Sequence, residues 1–312
     1  AIPYGTTFLP QNQDPTKVAA NPNATLGSNA FDRDFLRPFP GYGDISIHRE
    51  GSSSNYNSLQ VGLNRRFARG FQFGLAYTWG KALGITGADG DFVRIDNLTR
   101  FANYGPIAAI DRRQTFAANY IYDIPSFFKN RKIAHLMLDG WQISGITRFQ
   151  TGAPLSVGFS VPNIGNQQLT GSYTEPARIQ LLSDPTVGTS SSPYNRINAA
   201  AFAPPQPGNI GLGAGVNYLT GPGINNTDLS LQKTFQVKDR MSLELRADAF
   251  NAFNHTQFSG YNTTVNFSGL VNPTVTNLFL KPNGTINNLN GFGTVSGARD
   301  PRIMQLAMRF VF

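Results

Sequence analysis

The last nine residues of this 312-residue chain constrain its fold more than any other segment. From Met304 to Phe312 every second residue is large and apolar, and the residues between them are mixed or polar. A β-strand turns successive side chains to opposite faces, so this segment has one apolar face and one mixed face. A closed barrel surrounded by lipid needs strands of this kind.

The same period of two recurs along the chain and predicts seven or eight strands. In the clearest hairpin, apolar residues alternate with polar or small ones over 59–67 and again over 71–79. Alternation over about ten residues matches the length that a tilted membrane strand needs. The composition of residues 241–253 also suits a helix, but their unbroken alternation favours a strand. We predict strands near residues 43–50, 55–67, 71–82, 112–124, 140–150, 226–236, 241–252 and 302–312.

Composition excludes several other classes of protein. Hydrophobic residues make up 40% of the chain, yet no run approaches the ~20 apolar residues of a membrane-spanning helix. Charged residues are 14%, against about 25% in ordinary soluble domains. The chain has no cysteine, which excludes disulfides, thiolate metal sites and cysteine catalysis. Its net charge of +8 is scattered rather than gathered in a basic stripe, so nucleic-acid binding is not expected.

The predicted connections alternate between shorter and long, the long ones being residues 83–111, 151–225 and 253–301. Outer-membrane barrels join their strands in this way, with short periplasmic turns and long extracellular loops. Long loops without structure of their own are uncommon in compact soluble domains. We therefore predict an all-β fold: an antiparallel, transmembrane, up-and-down β-barrel, here partial, over residues 43–312. Residues 1–42 are interpreted as a mostly extended or loop leading segment.

Charged residues fall into two groups under this assignment. Arg65 and Lys233 have lipid-facing parity and are expected to extend to the membrane interface, since each lies two residues from an aromatic residue. The others have the parity of the inner face, where they would form cross-strand ion pairs or contact a plug or solute. These lumen-facing candidates are Arg66, Arg113, Asp123, Arg148, Glu244, Arg246, Asp248 and Arg309.

Several segments resemble one family in their order and spacing. They are SNYNSLQ at 54–60, RRF at 65–67, DRR at 111–113, LTGPG at 219–223, RADAFNAFNH at 246–255, GFG at 291–293 and ARDPR at 298–302. Together they resemble the C-terminal barrel portion of TonB-dependent outer-membrane receptors, especially the Oar-like group. The chain ending, with Leu306, Met308, Phe310 and Phe312 on one face, is similar to the signal by which bacterial outer-membrane barrels are recognised for assembly.

The resemblance implies a bacterial outer-membrane location and a barrel of about 22 strands filled by a plug. It also implies three partners: outer-membrane lipid, the barrel-assembly machinery, and the TonB complex acting through a plug that this sequence does not contain. A TonB box and an N-terminal carboxypeptidase-regulatory-like domain are not recognisable either. We expect either that the remaining strands lie upstream or that these strands close alone as a small barrel.

No catalytic, cofactor or metal site is predicted. His48, His135 and His255 are far apart and lack metal-ligand spacing, and the glycine run at 211–215 lacks the lysine and helix of a phosphate-binding loop. Two functions remain. One is a transport segment whose long outer loops select a ligand. The other is a small structural or adhesive surface barrel, or a secreted β-sandwich, that displays long loops.

Overall fold

The computed structural model describes residues 2–43, 45, 53–85, 103–127, 132–211, 213–238 and 241–312. Its framework is an antiparallel sheet in which seven long strands each pair with the next one along the chain. In the described part of the chain, no helix is long and apolar enough to cross a membrane. The long strands are β1 (Ser54–Ala68), β2 (Phe71–Gly84), β3 (Gln114–Asp123), β4 (Trp141–Gln150), β5 (Ile224–Lys238), β6 (Met241–Phe250) and β7 (Ile303–Val311).

These seven strands begin and end within two residues of the positions predicted from the sequence. The all-β, antiparallel, up-and-down fold class is confirmed. The helical alternative for 241–253 is wrong, because β6 pairs along its length with β5 and β7. The predicted strand at 43–50 lies largely outside the described residues.

The register places the alternating apolar residues of all seven strands on one face of the sheet, the apolar face. The opposite surface is the polar face. Five residues spread over the apolar face (Phe73, Leu75, Tyr120, Leu231 and Leu243) are all partly or fully exposed, so this face is not the dry core of a soluble sheet. One row across it shows the register; its members, from β2 to β7, are Phe71, Tyr122, Ile143, Leu231, Ala247 and Leu306.

The two ends of the sheet differ in their connections. Residues 69–70, 124–140 and 239–240 join strands at what we call the inner end, and 85–113, 151–223 and 251–302 join them at the outer end. Both edge strands, β1 and β7, run from the outer end to the inner end and are therefore parallel to each other. Every residue of β1 and β7 is exposed, and neither strand has a second partner strand among the described residues.

The two longest connections fold together into what we call the outer-loop body, which corrects the expectation of loops without structure. Gly158–Ser160 of the first connection pairs in parallel with Thr264–Asn266 of the second. Each connection also pairs with itself. Those strand pairs are Pro154–Leu155 with Leu219–Thr220, Gln180–Leu181 with Phe202–Ala203, and Phe258–Tyr261 with Val295–Ala298. Asn166–Leu169 and Ala199–Ala201 add short helical turns.

The hydrophobic core cluster lies in the outer-loop body rather than in the sheet. Phe202 and Phe292 meet edge to face with ring centroids 5.7 Å apart, and Phe267 is among the most deeply buried side chains. Each fully buried side chain of this size contributes roughly 1.5–3 kcal/mol. The body therefore has a source of stability that does not depend on lipid. Its other buried aliphatic residues are Val157, Val161, Ile179, Ile197, Ala201, Leu219 and Val265.

The leading segment contains short helices that its interpretation as extended or loop did not include. They are Thr6–Phe8, Pro10–Asn12, Pro15–Ala20 and Arg33–Leu36. The third begins with a local signal: Asp14 accepts a hydrogen bond from the backbone nitrogen of Thr16 at 2.9 Å, and Pro15 occupies the first helical position. A capping carboxylate and an N-terminal proline both favour a helix start.

Candidate functional site

Two polar clusters occupy the polar face of the sheet. Nε of Arg246 donates to Asp248 at 2.8 Å and to the hydroxyl of Ser230 at 3.1 Å. Residues two apart on one strand project from the same face, so Arg246 and Asp248 are natural partners. Nearer the inner end, Gln142 donates to Asp123 at 2.6 Å across β3 and β4. These clusters hold side chains in place at two levels of the polar face.

The remaining candidates on this face do not form the expected cross-strand ion pairs. Arg148 donates to Gln150 on its own strand at 2.8 Å, and Arg66 lies on the exposed edge strand β1. Glu244 is directly opposite Arg309 in the register, yet within the described strands the ion pair between lumen-facing candidates is the intrastrand one, between positions 246 and 248. Exposed charges gain little from pairing, which explains the difference.

Arg113 is a correction, because it does not belong to the polar face. β3 begins one residue later, so the alternation does not reach it, and its guanidinium carbon lies 4.9 Å from the ring centroid of Trp79 on the apolar face. Such a cation–π contact is attractive. Asp111, two residues earlier, accepts from the backbone nitrogen of Ala82 at 2.7 Å and from Lys81 at 3.1 Å. The DRR motif thus fastens a connection to the outer end of β2.

Lys233 is the centre of a cluster at the inner end of the apolar face. Only 2% of its surface is exposed, and its ammonium lies 5.2 Å from the ring centroid of Trp141 and 4.8 Å from that of Phe235. The same ammonium donates to the backbone oxygen of Asp139. The carboxylate of Asp139 lies 2.7 Å from Nδ1 of His135. Lys233 thus lies at the inner end of the sheet, as its neighbouring aromatic residue predicted, but its ammonium is covered by the two rings rather than extended into the interface.

Further features of this inner end suit a membrane interface. The guanidinium carbon of Arg65 lies 5.6 Å from the ring centroid of Phe71. The helix Lys132–Leu138 exposes the apolar side chains of Ile133 and Met137, which lie four residues apart on one helical face. Aromatic rings, extended cations and exposed apolar groups gather where a bilayer ends.

The leading segment is fixed to the outer-loop body. The backbone nitrogen of Thr7 donates to the carbonyl of Gly171 at 2.7 Å, and the hydroxyl of Tyr173 donates to the carbonyl of Phe31 at 2.8 Å. Burial raises the pKa of Tyr173 above its ordinary value. Gly171 has φ +71°, and a Cβ there would lie 2.5 Å from Cα of Gly5. The sequence patterns did not predict that the leading segment docks on the outer-loop body. Gly171 was the one available signal, since its positive φ and its close neighbour both favour glycine.

The motif at 246–255 forms a corner between β6 and the outer-loop body. Asn251 has φ +50°, a conformation that asparagine tolerates, and its backbone nitrogen donates to Asp228 at 2.8 Å. Its side-chain amide donates to the carbonyl of His255 at 3.1 Å and accepts from the His255 backbone nitrogen at 3.0 Å. Within the described ranges, no group of three His, Asp or Glu side chains could hold a metal ion. His48 lies outside those ranges.

Comparison with known proteins places this architecture in a family. A family model described as an outer membrane beta barrel domain matches residues 5–305, which cover most of the leading segment, the outer-loop body and the sheet from β1 to the first three residues of β7. The chain belongs to the outer membrane beta barrel domain family. No curated protein matches it. As an outer membrane beta barrel domain, the protein resides in the bacterial outer membrane, and its open sheet of seven long strands is a partial all-β barrel.

The final strand of this outer membrane beta barrel domain carries the predicted assembly signal on its apolar face. The rings of Phe310 and Phe312 lie 6.3 Å apart between centroids. All four residues of the predicted signal are well exposed; three lie on the edge strand β7 and the fourth follows its last residue. The members are Leu306, Met308, Phe310 and Phe312.

Proposed function

We propose that this outer membrane beta barrel domain is the C-terminal segment of a TonB-dependent transporter for a bulky ligand. In this proposal the apolar face meets lipid, the polar face lines part of the lumen, and the outer end faces the cell exterior. The observation that carries the proposal is the open sheet, whose edge strands β1 and β7 run in the same direction and lack second partners among the described residues.

Strand direction explains why the open sheet matters. Single-chain bacterial barrels have an even number of antiparallel strands, so their first and last strands are antiparallel to each other. Since β1 and β7 are parallel, the seven strands do not close on themselves in that pattern. An odd number of further strands is required. A plugged transporter of about 22 strands would supply about 15 of them.

The outer-loop body suits ligand capture. Loops on a rigid scaffold carry recognition, and a surface ordered before binding loses less entropy when it binds. The aromatic core orders the body from within, and on its surface the rings of Tyr194 and Phe279 stack with centroids 4.2 Å apart. The polar clusters around Arg246 and Asp123 would then contact a plug, which the TonB complex moves. In this proposal the plug and that complex are supplied from outside the described residues.

A second candidate is a small structural or adhesive surface barrel. The observation that favours it is the same outer-loop body, because a folded body with its own core is suited to display on a cell surface. The two functions differ in what lies beside β1. In a transporter a strand from upstream pairs with β1, whereas in a small self-closed barrel β1 lies beside or near β7.

Crosslinking in the outer membrane tests this difference. Residues 1–312 contain no cysteine, and any cysteine elsewhere in the full protein is replaced by serine. The full protein is expressed with Val61→Cys in β1 and Leu306→Cys in β7, then treated with a flexible bismaleimide. We expect no crosslink between these positions. The control pair, Val61→Cys with Tyr77→Cys, joins direct register partners and should react. An efficient crosslink between positions 61 and 306 would overturn the transporter proposal in favour of the small barrel.

A further inference from the structure

A groove of about 460 Å³ crosses the apolar face between β4 and β7. Ala247 lies at its centre, directly between Leu231 of β5 and Leu306 of β7. The neighbouring row toward the inner end contributes Leu245 and Met308. The small side chain of Ala247 lies among these four long ones and leaves a concave strip in the apolar face.

The groove is suited to an apolar occupant. It is open along its length, since Leu306 and Met308 are well exposed, so it suits a chain that lies along the face. The polar residue in its lining is Arg246, but the guanidinium of that residue is bound to Asp248 and Ser230 on the polar face. Arg246, the one charged residue of the lining, therefore offers a ligand in the groove no hydrogen bond from its guanidinium. The lining discriminates by shape and apolarity rather than by polar contacts.

The inner limit of the groove is fixed by an aromatic residue. Trp141 lines the groove at the first position of β4, and its indole nitrogen donates to the carbonyl of Met137 at 3.1 Å. Tryptophan concentrates at the level where lipid headgroups meet the acyl region. A chain lying in the groove would therefore have its headgroup near Trp141 and its methylenes along Ala247, toward the outer end.

We propose that the groove holds one acyl chain of a phospholipid from the inner-end leaflet. The groove is continuous with the face that meets lipid, so an acyl chain is the occupant in direct supply. A bound chain would remain associated where the other lipids along the wall exchange freely. This inference rests on the lipid-facing orientation in the proposed function and is independent of transport.

Quenching by a brominated lipid tests the proposal. Residues 1–312 contain two tryptophans, so Trp79→Phe leaves Trp141 as their fluorophore, and any tryptophan elsewhere in the full protein is also replaced by phenylalanine. The full protein in detergent micelles is titrated with dibromo-phosphatidylcholine. We expect quenching that saturates near one lipid per protein. Ala247→Phe should weaken half-saturation about tenfold, the loss expected when roughly two methylenes lose contact. Leu63→Phe, on the same apolar face but on the opposite edge strand β1, is the control and should leave saturation unchanged.

Each outcome bears on a separate claim. Quenching that rises in proportion to lipid, equally in both phenylalanine variants, would overturn the bound chain but leave the lipid-facing orientation standing. Absence of quenching at any ratio would overturn the orientation as well. Should Ala247→Phe fail to fold, Leu306→Ala removes one bank of the groove at an 81% exposed position and is expected to weaken binding in the same direction.

Discussion

The outer-loop body should open when a single core side chain is shortened. Phe267 is 2% exposed and lies in the core cluster with Val265. We expect Phe267→Ala to destabilise the body by about 3–5 kcal/mol, through lost burial of the ring and through the cavity that remains. This range is a large share of the stability of a small folded unit.

The structure places the expected value in the upper part of that range. The backbone nitrogen of Phe267 donates to the carbonyl of Ser160 at 2.9 Å, and Phe267 also forms a β-bridge with Val275. Because the backbone at Phe267 is hydrogen-bonded on both sides, it cannot easily move to fill the cavity that the shortened side chain leaves. The loss of stability on truncation rises with the volume of the cavity that persists. Because 1.4 kcal/mol is a tenfold change in population, the open form should increase by roughly a hundredfold to a few thousandfold.

Limited proteolysis on intact cells measures this population. Trypsin can cleave after Arg178 and Arg196, which lie inside the body, when the body opens. Cleavage follows the open population while opening and closing are fast relative to cleavage. The matched control is Phe253→Ala, which removes the same ring from the same connection at a position that is 74% exposed. Its cleavage rate should match that of the parent protein.

Two results would refute this reasoning. An unchanged cleavage rate for Phe267→Ala would mean that the two connections do not form a cooperative body around this ring. Equal acceleration by both variants would mean that burial does not determine the effect. Loss of the whole protein from the outer membrane would instead report failed assembly, so surface abundance is measured in the same cells.

Leu75→Arg on the apolar face should lower the free energy of unfolding by roughly 2–4 kcal/mol, measured by urea titration of the protein folded into liposomes. Ala76→Arg on the polar face should lower it little. Equal losses would contradict the assignment of the two faces. Gly171→Ala should release the leading segment, seen as new proteolysis there, because of its φ of +71° and its close neighbour. Burial raises the pKa of Tyr173, so docking of the leading segment is favoured while this hydroxyl is neutral. The leading segment should therefore be released as pH rises through that pKa. Tyr173→Phe should remove this pH dependence. Lys233→Met should destabilise the sheet by about 2 kcal/mol, because a buried carbonyl loses its charged hydrogen-bond donor. An unaltered urea midpoint would show that this hydrogen bond does not stabilise the sheet.

The strands could be predicted because their signal is local. Alternation over 71–79 fixes both the strand and the face of each side chain, and the partner strands then only have to match faces. Lys233 shows how far this logic extends: its parity and its neighbouring aromatic residue predicted its position at the inner end. Arg113 shows where it stops, because the period of two has no meaning one residue before a strand begins.

The outer-loop body could not be predicted, because its contacts join residues remote in sequence. The hydroxyl of Thr7 donates to the carbonyl of Gln167, 160 residues away, at 2.7 Å. Apolar residues of its core lie in irregular segments, as Ile179 does, or in strands of two to four residues, as Val265 does, which are too short to show a period of two. These segments are rich in glycine, asparagine and proline, a composition that predicts open loops. They nevertheless enclose the hydrophobic core cluster.

The location of that core has a consequence for how the protein unfolds. The outer-loop body buries aromatic and aliphatic side chains and is stable in water by the ordinary hydrophobic effect. The sheet exposes both edge strands, and its apolar face gains stability when lipid covers it and when neighbouring strands satisfy its backbone groups. Two units stabilised by different environments should not unfold together. We therefore expect a change of detergent to alter the stability of the sheet and to leave the stability of the outer-loop body unaltered. Tryptophan fluorescence reports unfolding of the sheet, and proteolysis reports unfolding of the body. Coincident transitions in these two measurements would contradict this division.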